Sequence, residues 1–259
     1  MKIGIDIDNV LSNFNDELLR EYIIHDKEIN GNGIINKNEY IRKMFDWKDE
    51  EEKKFYKENI ERIVVNLKPI KNCAKYIRKL KEMNCEIYII TGRDNGDYSD
   101  PYNMTVNWLK KYNIYYDKII LVDAKNSHSK TEVCLENNIY IMIDDSKRMC
   151  LDASNHGITT FIMDTPYNKD VDGLIRVHTW KEIFEKVKSE KEGIHLICTL
   201  VKKLLKERKY LQIIQLFVES GCKYLGYQMG KHYRQLPESF IMKLTMIDNY
   251  WRGRNDEDA

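Results

Sequence analysis

The sequence lacks the features that define several special classes of protein. No apolar run approaches the roughly 18 to 20 residues that a membrane-spanning helix needs, so we expect no membrane partner. The six cysteines form no CxxC pair, which favours reduced, mostly buried thiols over disulfides or a zinc site. An apolar strand is predicted to start at the initiator methionine, which leaves no room for a signal peptide. These absences together predict a cytoplasmic protein.

The chain also lacks an excess of charge of either sign. It carries 42 Lys and Arg residues against 41 Asp and Glu residues, a net charge of +1. No basic cluster provides the electrostatic footprint of a nucleic-acid-binding surface, so no nucleic acid is expected as a partner. We find no internal repeat and no low-complexity segment. With 42% hydrophobic residues, the 259-residue chain is predicted to be globular, with one large domain or two small ones.

The stretch that organises the chain is its first fourteen residues, MKIGIDIDNVLSNF. Residues 2–6 are predicted to form a buried strand, which ends in two acids, Asp6 and Asp8, separated by one residue. Side chains alternate along an extended segment, so both acids point the same way from the carboxyl end of the strand. Ligands of an open α/β sheet bind at that edge. An acidic surface loop is the alternative, but a buried acid pair indicates a cation or a shared proton.

Residues 15–66 are predicted to form a helical cap. Helical patterns cover residues 15–25, 38–46 and 49–65, and a glycine- and asparagine-rich break lies at residues 30–33. A connection between two neighbouring parallel strands usually contains one helix, and this segment is predicted to contain three. We therefore expect an insert directly after the first strand.

From Pro69 onward, strands and helices alternate. The predicted strands are 86–90, 118–122, 140–143 and 159–163, and the predicted helices are 70–83, 101–112, 129–137 and 147–155. Strands joined by helices of about ten residues form right-handed βαβ units, so we predict an α/β fold with a doubly wound parallel sheet in three layers. Residues 1–14 and 67–188 would form this catalytic core.

Residues 190–259 are predicted to be an all-helical C-terminal extension that the core does not require. An apolar stripe runs through this segment from Ile194 to Leu205 at helical spacing. Two interpretations stay open: the extension packs back onto the core, or it forms a partner-binding or homodimerisation module.

Five side chains at the predicted sheet edge suit phosphate-ester hydrolysis. A carboxylate such as Asp6 can attack phosphorus, and a second acid such as Asp8 can move protons. Mg²⁺ prefers hard oxygen ligands, so Asp6 with the sequence-distant Asp145 suits this ion. The hydroxyl of Thr91 and a lysine can bind and neutralise phosphoryl oxygens. Lys130 is favoured over Lys125 for that lysine because it lies in the first turn of the helix before the fourth motif.

The order of these motifs resembles the haloacid dehalogenase-like (HAD) phosphohydrolases. DxDxV, a strand ending in TGR, a lysine and a strand ending in DDS follow one another over residues 1–185. Within that superfamily, IDIDNVLSNF, the cap after the first motif, IDDS and the late Pro-Tyr-Asn triplet at 166–168 are similar to the 5′(3′)-deoxyribonucleotidase group. The resemblance implies a HAD-type, Rossmann-like core and dependence on Mg²⁺.

The resemblance also implies a role for each residue. Asp6 would be the nucleophile and a metal ligand, and Asp8 the general acid and base, with its backbone carbonyl on the metal. Asp145 would bind the metal directly, and Asp144 would act on it only indirectly, from behind the direct ligands or through water. Thr91, Gly92 and Lys130 would bind the phosphate. The chain departs from the group at Asn9, where glycine is usual, but asparagine tolerates unusual backbone angles and we expect the turn to survive.

The cap leaves the substrate open. Its aromatic residues could stack on a nucleobase or form the core of the cap, and we take Phe14 and Trp47, together with Arg93, as the candidates for substrate contact. Residues 28–39 mimic an EF-hand loop, but their first position is glutamate rather than aspartate and two other ligand positions are asparagine, so a glycine-rich turn is favoured over a calcium site.

The sequence thus predicts an Mg²⁺-dependent phosphomonoester hydrolase that acts through an aspartyl-phosphate. The favoured substrates are (deoxy)ribonucleoside 5′-monophosphates. A HAD phosphatase for another small phosphorylated metabolite is the alternative, and a catalytic core fused to a partner-binding module is a further one.

Overall fold

A six-stranded, wholly parallel sheet forms the centre of the protein, for which a computed structural model describes residues 1–94 and 96–231. The strands are β1 (Lys2–Ile5), β2 (Glu86–Thr91), β3 (Lys118–Leu121), β4 (Ile141–Asp144), β5 (Thr159–Met163) and β6 (Ile175–Val177). Their order is β3-β2-β1-β4-β5-β6, so the direction of winding reverses between β1 and β4. In open α/β sheets, that switch point is where ligands bind at the carboxyl edge.

Helices cover both faces of the sheet. In the core, α3 (Cys73–Glu82) and α4 (Pro101–Lys111) lie on one face, and α5 (Ser129–Glu136) and α6 (Lys147–Asn155) lie on the other. The other described helices are α1 (Phe14–Glu28), α2 (Asp49–Asn66), α7 (Trp180–Lys206) and α8 (Tyr210–Lys231), and 3₁₀ turns lie at Ile41–Lys43 and Pro166–Asn168. The alternation of strand side chains divides the core in two. Ile3 and Ile5 belong to one apolar cluster, while Ile90 and Met142 belong to the other. The predicted three-layer, doubly wound α/β fold is confirmed.

Gly4 in the central strand packs closely against a side chain of the neighbouring strand. A Cβ at this position would lie 2.8 Å from Cδ1 of Ile90 in the neighbouring strand. The strand residues on either side of it, Ile3 and Ile5, are fully buried. Gly4 thus leaves room beside β1 for the side chain of Ile90.

The cap has two helices rather than three. α1 and α2 form as predicted, but the predicted helix at 38–46 is wrong, since only Ile41–Lys43 makes a 3₁₀ turn. The backbone N–H groups of Ile35 and Asn36 both donate to the carbonyl of Met44, at 2.8 and 3.2 Å, and close the segment into a loop. Backbone donors used in this way do not support a continuous helix.

The sheet also has one more strand than predicted. β6 is only three residues long, and its register pairs Phe161 with Ile175. A three-residue edge strand with an arginine at its centre carries no alternating pattern long enough to detect. The described helices include none that is long and apolar enough to cross a membrane.

The chain divides into two compact units, Met1–Lys191 and Glu192–Ala259. The charged stretch near 182–191 does not end a helix, because α7 continues from Trp180 to Lys206. In the second unit, the described part of the predicted all-helical extension is helical from 192 to 206 and in α8. Residues 232–259 of that prediction lie outside the described residues.

Candidate active site

The turn after β1 places the first acid beside the fourth motif. Asp6 continues the parallel ladder, since its N–H donates to the carbonyl of Ile143 at 3.0 Å. This register brings Asp6 next to Asp144, the last residue of β4. Asn9 adopts a positive φ of 63°, and its Oδ1 accepts a hydrogen bond from the N–H of Asn15 at 2.7 Å. The expectation that asparagine preserves this turn is confirmed.

Lys130 joins the first and fourth motifs. Its Nζ lies 2.8 Å from Oδ1 of Asp6 and 2.5 Å from Oδ2 of Asp144, and the residue is buried. Burial opposes the charged form of this lysine, but the two carboxylates outweigh it, so the pKa of Lys130 is raised above its ordinary value. Lys125, the rival in the sequence, only borders the cavity. The structure therefore brings Lys130, as predicted from the sequence, to the acids.

Asp6, Asp144 and Asp145 form a buried acid cluster. Their carboxylate oxygens lie within 4.8 Å of one another. Burial raises the pKa of Asp6 well above its usual range, and the neighbouring acids add to this effect while Lys130 opposes it. Burial and the charge of Asp144 raise the pKa of Asp145 to about 7. Three acids with one lysine leave an excess of negative charge on hard oxygen atoms, and this donor set fits Mg²⁺.

Asp145 is held in position by three side chains. Nδ2 of Asn9 donates to its Oδ2 at 2.9 Å, and the hydroxyl of Tyr167 donates to the same oxygen. Nδ2 of Asn168 donates to the Asp145 carbonyl at 2.8 Å. The Pro-Tyr-Asn triplet that the sequence shares with the nucleotidase group therefore orients an acid of the cluster.

Asp8 is not part of the acid cluster and pairs with Arg93. Its Oδ1 lies 2.5 Å from Nη2 of Arg93, and its Oδ2 accepts from Nε at 3.0 Å. The hydroxyl of Ser12 donates to Oδ1 of Asp8 at 3.2 Å. Arg93 is only 2% exposed. Arg93 lines the cavity, and its Nη1 has no partner among the described residues, so the predicted substrate contact stays a prediction beside the observed pairing with Asp8.

Thr91 and Gly92 follow β2 at the same edge. Thr91 is buried, and its Oγ1 has no hydrogen-bond partner among the described residues. An unsatisfied buried hydroxyl costs about 1–3 kcal/mol, which a ligand oxygen would recover. A Cβ on Gly92 would lie 2.9 Å from Cβ of Ala124, so only glycine lets these two loops pack so closely. Both features fit a phosphate-binding loop.

A cavity of about 490 Å³ opens above these residues. Asp6, Asp8, Lys130 and Asp145 all line it. Its other side is formed by residues of the cap and of the loop after β2, namely Phe14, Arg42, Tyr56, Asp97 and Tyr98. The volume suits a small molecule, since ligand cavities are usually about 300–1,000 Å³.

The cap contributes residues that the sequence did not single out. Arg42 makes two hydrogen bonds to Glu52, at 2.6 and 2.9 Å, and its guanidinium carbon lies 4.4 Å from the ring centre of Tyr56. Arg42 escaped notice because it lies in the segment predicted to be a helix, and no local pattern marks it. Of the predicted cap aromatics, Phe14 and Tyr56 reach the cavity.

Trp47 does not line the cavity, which corrects its prediction as a substrate contact. It stacks on Tyr22 with ring centres 4.9 Å apart, and its Nε1 donates to Oδ1 of Asp26 at 2.7 Å. Trp47 therefore belongs to the aromatic core of the cap. The other carboxylate oxygen of Asp26 accepts from the N–H of Gly33 at 2.9 Å, which ties the glycine-rich turn to α1. Among the described residues, neither cluster of metal-ligating side chains includes residues 28–39.

The family follows from the sequence match over this same region. Residues 1–192 match the family model described as "5′ nucleotidase, deoxy (Pyrimidine), cytosolic type C protein". The chain belongs to this family. It is therefore a phosphoric monoester hydrolase of the 5′-nucleotidase type, and its family indicates a small phosphorylated substrate such as a nucleotide. Among curated proteins, none matches this nucleotidase family member.

Solved structures support the fold of this 5′-nucleotidase family member. A haloacid dehalogenase-like hydrolase from Streptococcus pneumoniae is 14% identical, with a TM-score of 0.54 over 72% of this chain and 97% of that one. A predicted phosphatase from Clostridium acetobutylicum is 11% identical, with a TM-score of 0.53 over 73% and 98%. A HAD family hydrolase from Deinococcus radiodurans with bound phosphate and sodium is 12% identical, with a TM-score of 0.53 over 70% and 92%. The predicted HAD-like fold is confirmed.

Proposed function

We propose that this protein is an Mg²⁺-dependent 5′-nucleotidase that dephosphorylates (deoxy)ribonucleoside monophosphates in the cytoplasm through an aspartyl-phosphate. The observation that carries the proposal is the buried cluster of Asp6, Asp144 and Asp145, joined by Lys130 and facing a cavity of small-molecule size. The cytosolic family description supports the compartment. We propose the cap 15–66 and the core 1–14 with 67–188 as the two parts that enclose the substrate.

The reaction has two displacements at phosphorus. In the first, an oxygen of Asp6 forms a bond to phosphorus while the ester P–O bond breaks, and the leaving alkoxide takes a proton from Asp8. In the second, Asp8 accepts a proton from water, whose oxygen bonds to phosphorus and releases Asp6 and inorganic phosphate. The ion pair with Arg93 fixes the direction in which Asp8 delivers and receives that proton.

Four acids would serve the metal. The carboxylates of Asp6 and Asp145 would bind Mg²⁺ directly with the backbone carbonyl of Asp8, and Asp144 would act from behind these ligands or through water. Bound Mg²⁺ neutralises the charge on the attacking carboxylate and on the phosphoryl oxygens. Asp144 has a second task, since its Oδ2 holds Lys130 at 2.5 Å.

The phosphate would lie between the loop after β2 and the start of α5. The unpartnered hydroxyl of Thr91 and the N–H of Gly92 would donate to its oxygens, and Lys130 would balance their charge. The nucleoside would extend from there toward the cap. Phe14 and Tyr56 supply aromatic surfaces on that side of the cavity.

A substrate panel tests the proposal. The purified protein with Mg²⁺ is assayed against dUMP, dTMP, the ribonucleotides and small non-nucleotide phosphomonoesters, and kcat/KM is compared. We expect nucleoside monophosphates to be the best substrates. A higher kcat/KM for a non-nucleotide ester would overturn the nucleotidase assignment in favour of another small phosphorylated metabolite. No phosphate release from any ester would remove the phosphatase proposal altogether.

We also propose that residues 190–259 form a homodimerisation module. The side chains of Leu211, Ile214, Phe217 and Val218 in α8 are each more than half exposed. This spacing places apolar surface repeatedly on one side of a helix. A second copy of the same segment would cover that surface by an isologous contact.

A further inference from the structure

A second group of potential metal ligands lies outside the catalytic cavity, between α5 and α6. It consists of His128, Asp152 and His156, whose ligand atoms lie within 4.8 Å of one another. Nδ1 of His128 is 2.7 Å from Oδ2 of Asp152, and the ring centres of the two histidines are 4.7 Å apart. None of the three side chains lines the cavity above Asp6.

The fold fixes each of these side chains. Asp152 and His156 are four residues apart on α6 and therefore share one face of the helix. His128 directly precedes α5, and its backbone N–H donates to Oδ1 of Asn126 at 2.9 Å. The hydroxyl of Thr131 donates to Oδ2 of Asp152. The three ligands are thus positioned before any ion arrives.

Hydrogen bonds hold the carboxylate and the imidazoles of this group. The hydroxyl of Thr131 and Nδ1 of His128 both contact Oδ2 of Asp152. Nδ1 of His156 lies 2.8 Å from the backbone carbonyl of Asp152 and must donate to it. The same nitrogen lies 3.8 Å from Oδ1 of Asp152. A ring N–H donated to a carbonyl is the arrangement that orients metal-ligating histidines.

We propose that His128, Asp152 and His156 bind a Zn²⁺ ion that ties the start of α5 to α6. Two imidazoles and one carboxylate suit zinc, whereas Mg²⁺ prefers an all-oxygen set. The side chains are 36%, 24% and 43% exposed, so an ion can enter and water can complete its coordination. Metal–ligand distances of about 2.0–2.2 Å require the His128–Asp152 hydrogen bond to open into two bonds to the ion.

The test begins with Mg²⁺ bound at the catalytic acid cluster, so that Zn²⁺ binding at the second group can be measured apart from it. Untagged protein in saturating Mg²⁺ is titrated with Zn²⁺ by calorimetry, and with Co²⁺ while its visible absorption is recorded. We expect one ion per chain and a d–d absorption band from nitrogen ligation. His128→Ala and His156→Ala each weaken Zn²⁺ binding at least about tenfold. His178→Ala is the matched control, because His178 pairs with Asp164 at 3.5 Å without a second histidine.

A measurement on the unaltered protein keeps the test independent of variant folding. Zn²⁺ is added to ¹⁵N-labelled protein, and the ring nitrogen resonances of the histidines are recorded. We expect the resonances of two histidines, those of His128 and His156, to shift together. Absence of binding in Mg²⁺-saturated protein would overturn the proposal, and so would alanine variants that bind Zn²⁺ as tightly as the wild type does. Phosphatase activity plays no part in this outcome.

Discussion

Arg93 donates two hydrogen bonds to the carboxylate of Asp8, from Nη2 at 2.5 Å and from Nε at 3.0 Å. Both residues line the cavity that Asp6, Asp144 and Asp145 also line. This pair separates the two aspartates of the first motif. Asp6 lies in the acid cluster with Asp144 and Asp145, whereas Asp8 is turned toward a buried guanidinium. The division matches the two tasks proposed for them, attack on phosphorus and proton transfer.

Replacing Arg93 tests that positioning role. In Arg93→Lys the charge remains, but the bidentate geometry is lost and Asp8 gains freedom. We expect kcat to fall roughly 10–100-fold with little change in KM, because misplacement of a catalytic group by about 1 Å costs about 100-fold. Arg62→Lys is the control, since Arg62 pairs with Glu21 in the cap and does not line the cavity. A change in KM alone would show that Arg93 binds substrate instead.

The acid cluster predicts that the stability of the metal-free protein depends on pH, and that bound Mg²⁺ removes this dependence. Burial raises the pKa of Asp145 to about 7, above its ordinary value of 3.8. Between these values the folded, metal-free protein holds a proton that the unfolded chain has released. This contribution to stability is therefore complete below about pH 4 and is lost as the pH rises through about 7.

Thermal unfolding measures this effect. In EDTA we expect the Tm of the wild type to fall between about pH 5 and about pH 8, and saturating Mg²⁺ to reverse the fall. Asp145→Asn should remove part of the pH dependence and most of the stabilisation by Mg²⁺. Identical pH profiles for wild type and variant in EDTA would contradict the raised pKa of Asp145.

Two aromatic residues of the cap are predicted to have different roles, Tyr56 in substrate binding and Trp47 in the stability of the cap. Tyr56 lines the cavity, and stacking on a base contributes about 1–3 kcal/mol. We expect Tyr56→Leu to raise KM for nucleoside monophosphates roughly tenfold and to leave KM for a small aliphatic phosphate ester unchanged. Trp47→Phe keeps the stack on Tyr22 and loses the hydrogen bond to Asp26, so we expect a lower Tm at unchanged KM. The opposite pattern would return Trp47 to the substrate site.

The proposed dimer is tested by shortening the chain. Removing residues after Lys206 keeps α7 whole and deletes α8 with its exposed apolar side chains. We expect light scattering to show a dimer for the full chain and a monomer for the shortened one, with kcat/KM unchanged. A monomeric full chain would contradict the dimerisation proposal without affecting the catalytic one.

The residues at the sheet edge could be predicted because a polar residue directly after an apolar run indicates the end of a strand. Asp6, Thr91 and Asp144 each follow an apolar run, and parallel strands bring such ends together whatever the intervening chain does. The prediction of a helix at 38–46 was wrong because the backbone N–H groups of Ile35 and Asn36 both donate to the carbonyl of Met44. No local sequence pattern indicates this contact. β6 was missed because three residues are too few for a period.

Side-chain directions were the least predictable part of the site. The TGR triplet indicated that Arg93 lies near the active centre, but not that it pairs with Asp8. Trp47 and Tyr56 are both aromatic residues of the cap, yet Tyr56 lines the cavity and Trp47 stacks on Tyr22. Such choices depend on how α1 and α2 pack against each other and on Asp26, which are tertiary contacts.

Direct detection of the covalent intermediate tests the central claim. The enzyme is mixed with dUMP and Mg²⁺, quenched in acid within one turnover, digested and analysed by mass spectrometry. We predict a peptide carrying one added phosphoryl group on Asp6, absent in Asp6→Asn, which also releases no phosphate. Steady turnover with no phosphoryl group on Asp6, or retained phosphatase activity in Asp6→Asn, would contradict the proposed mechanism.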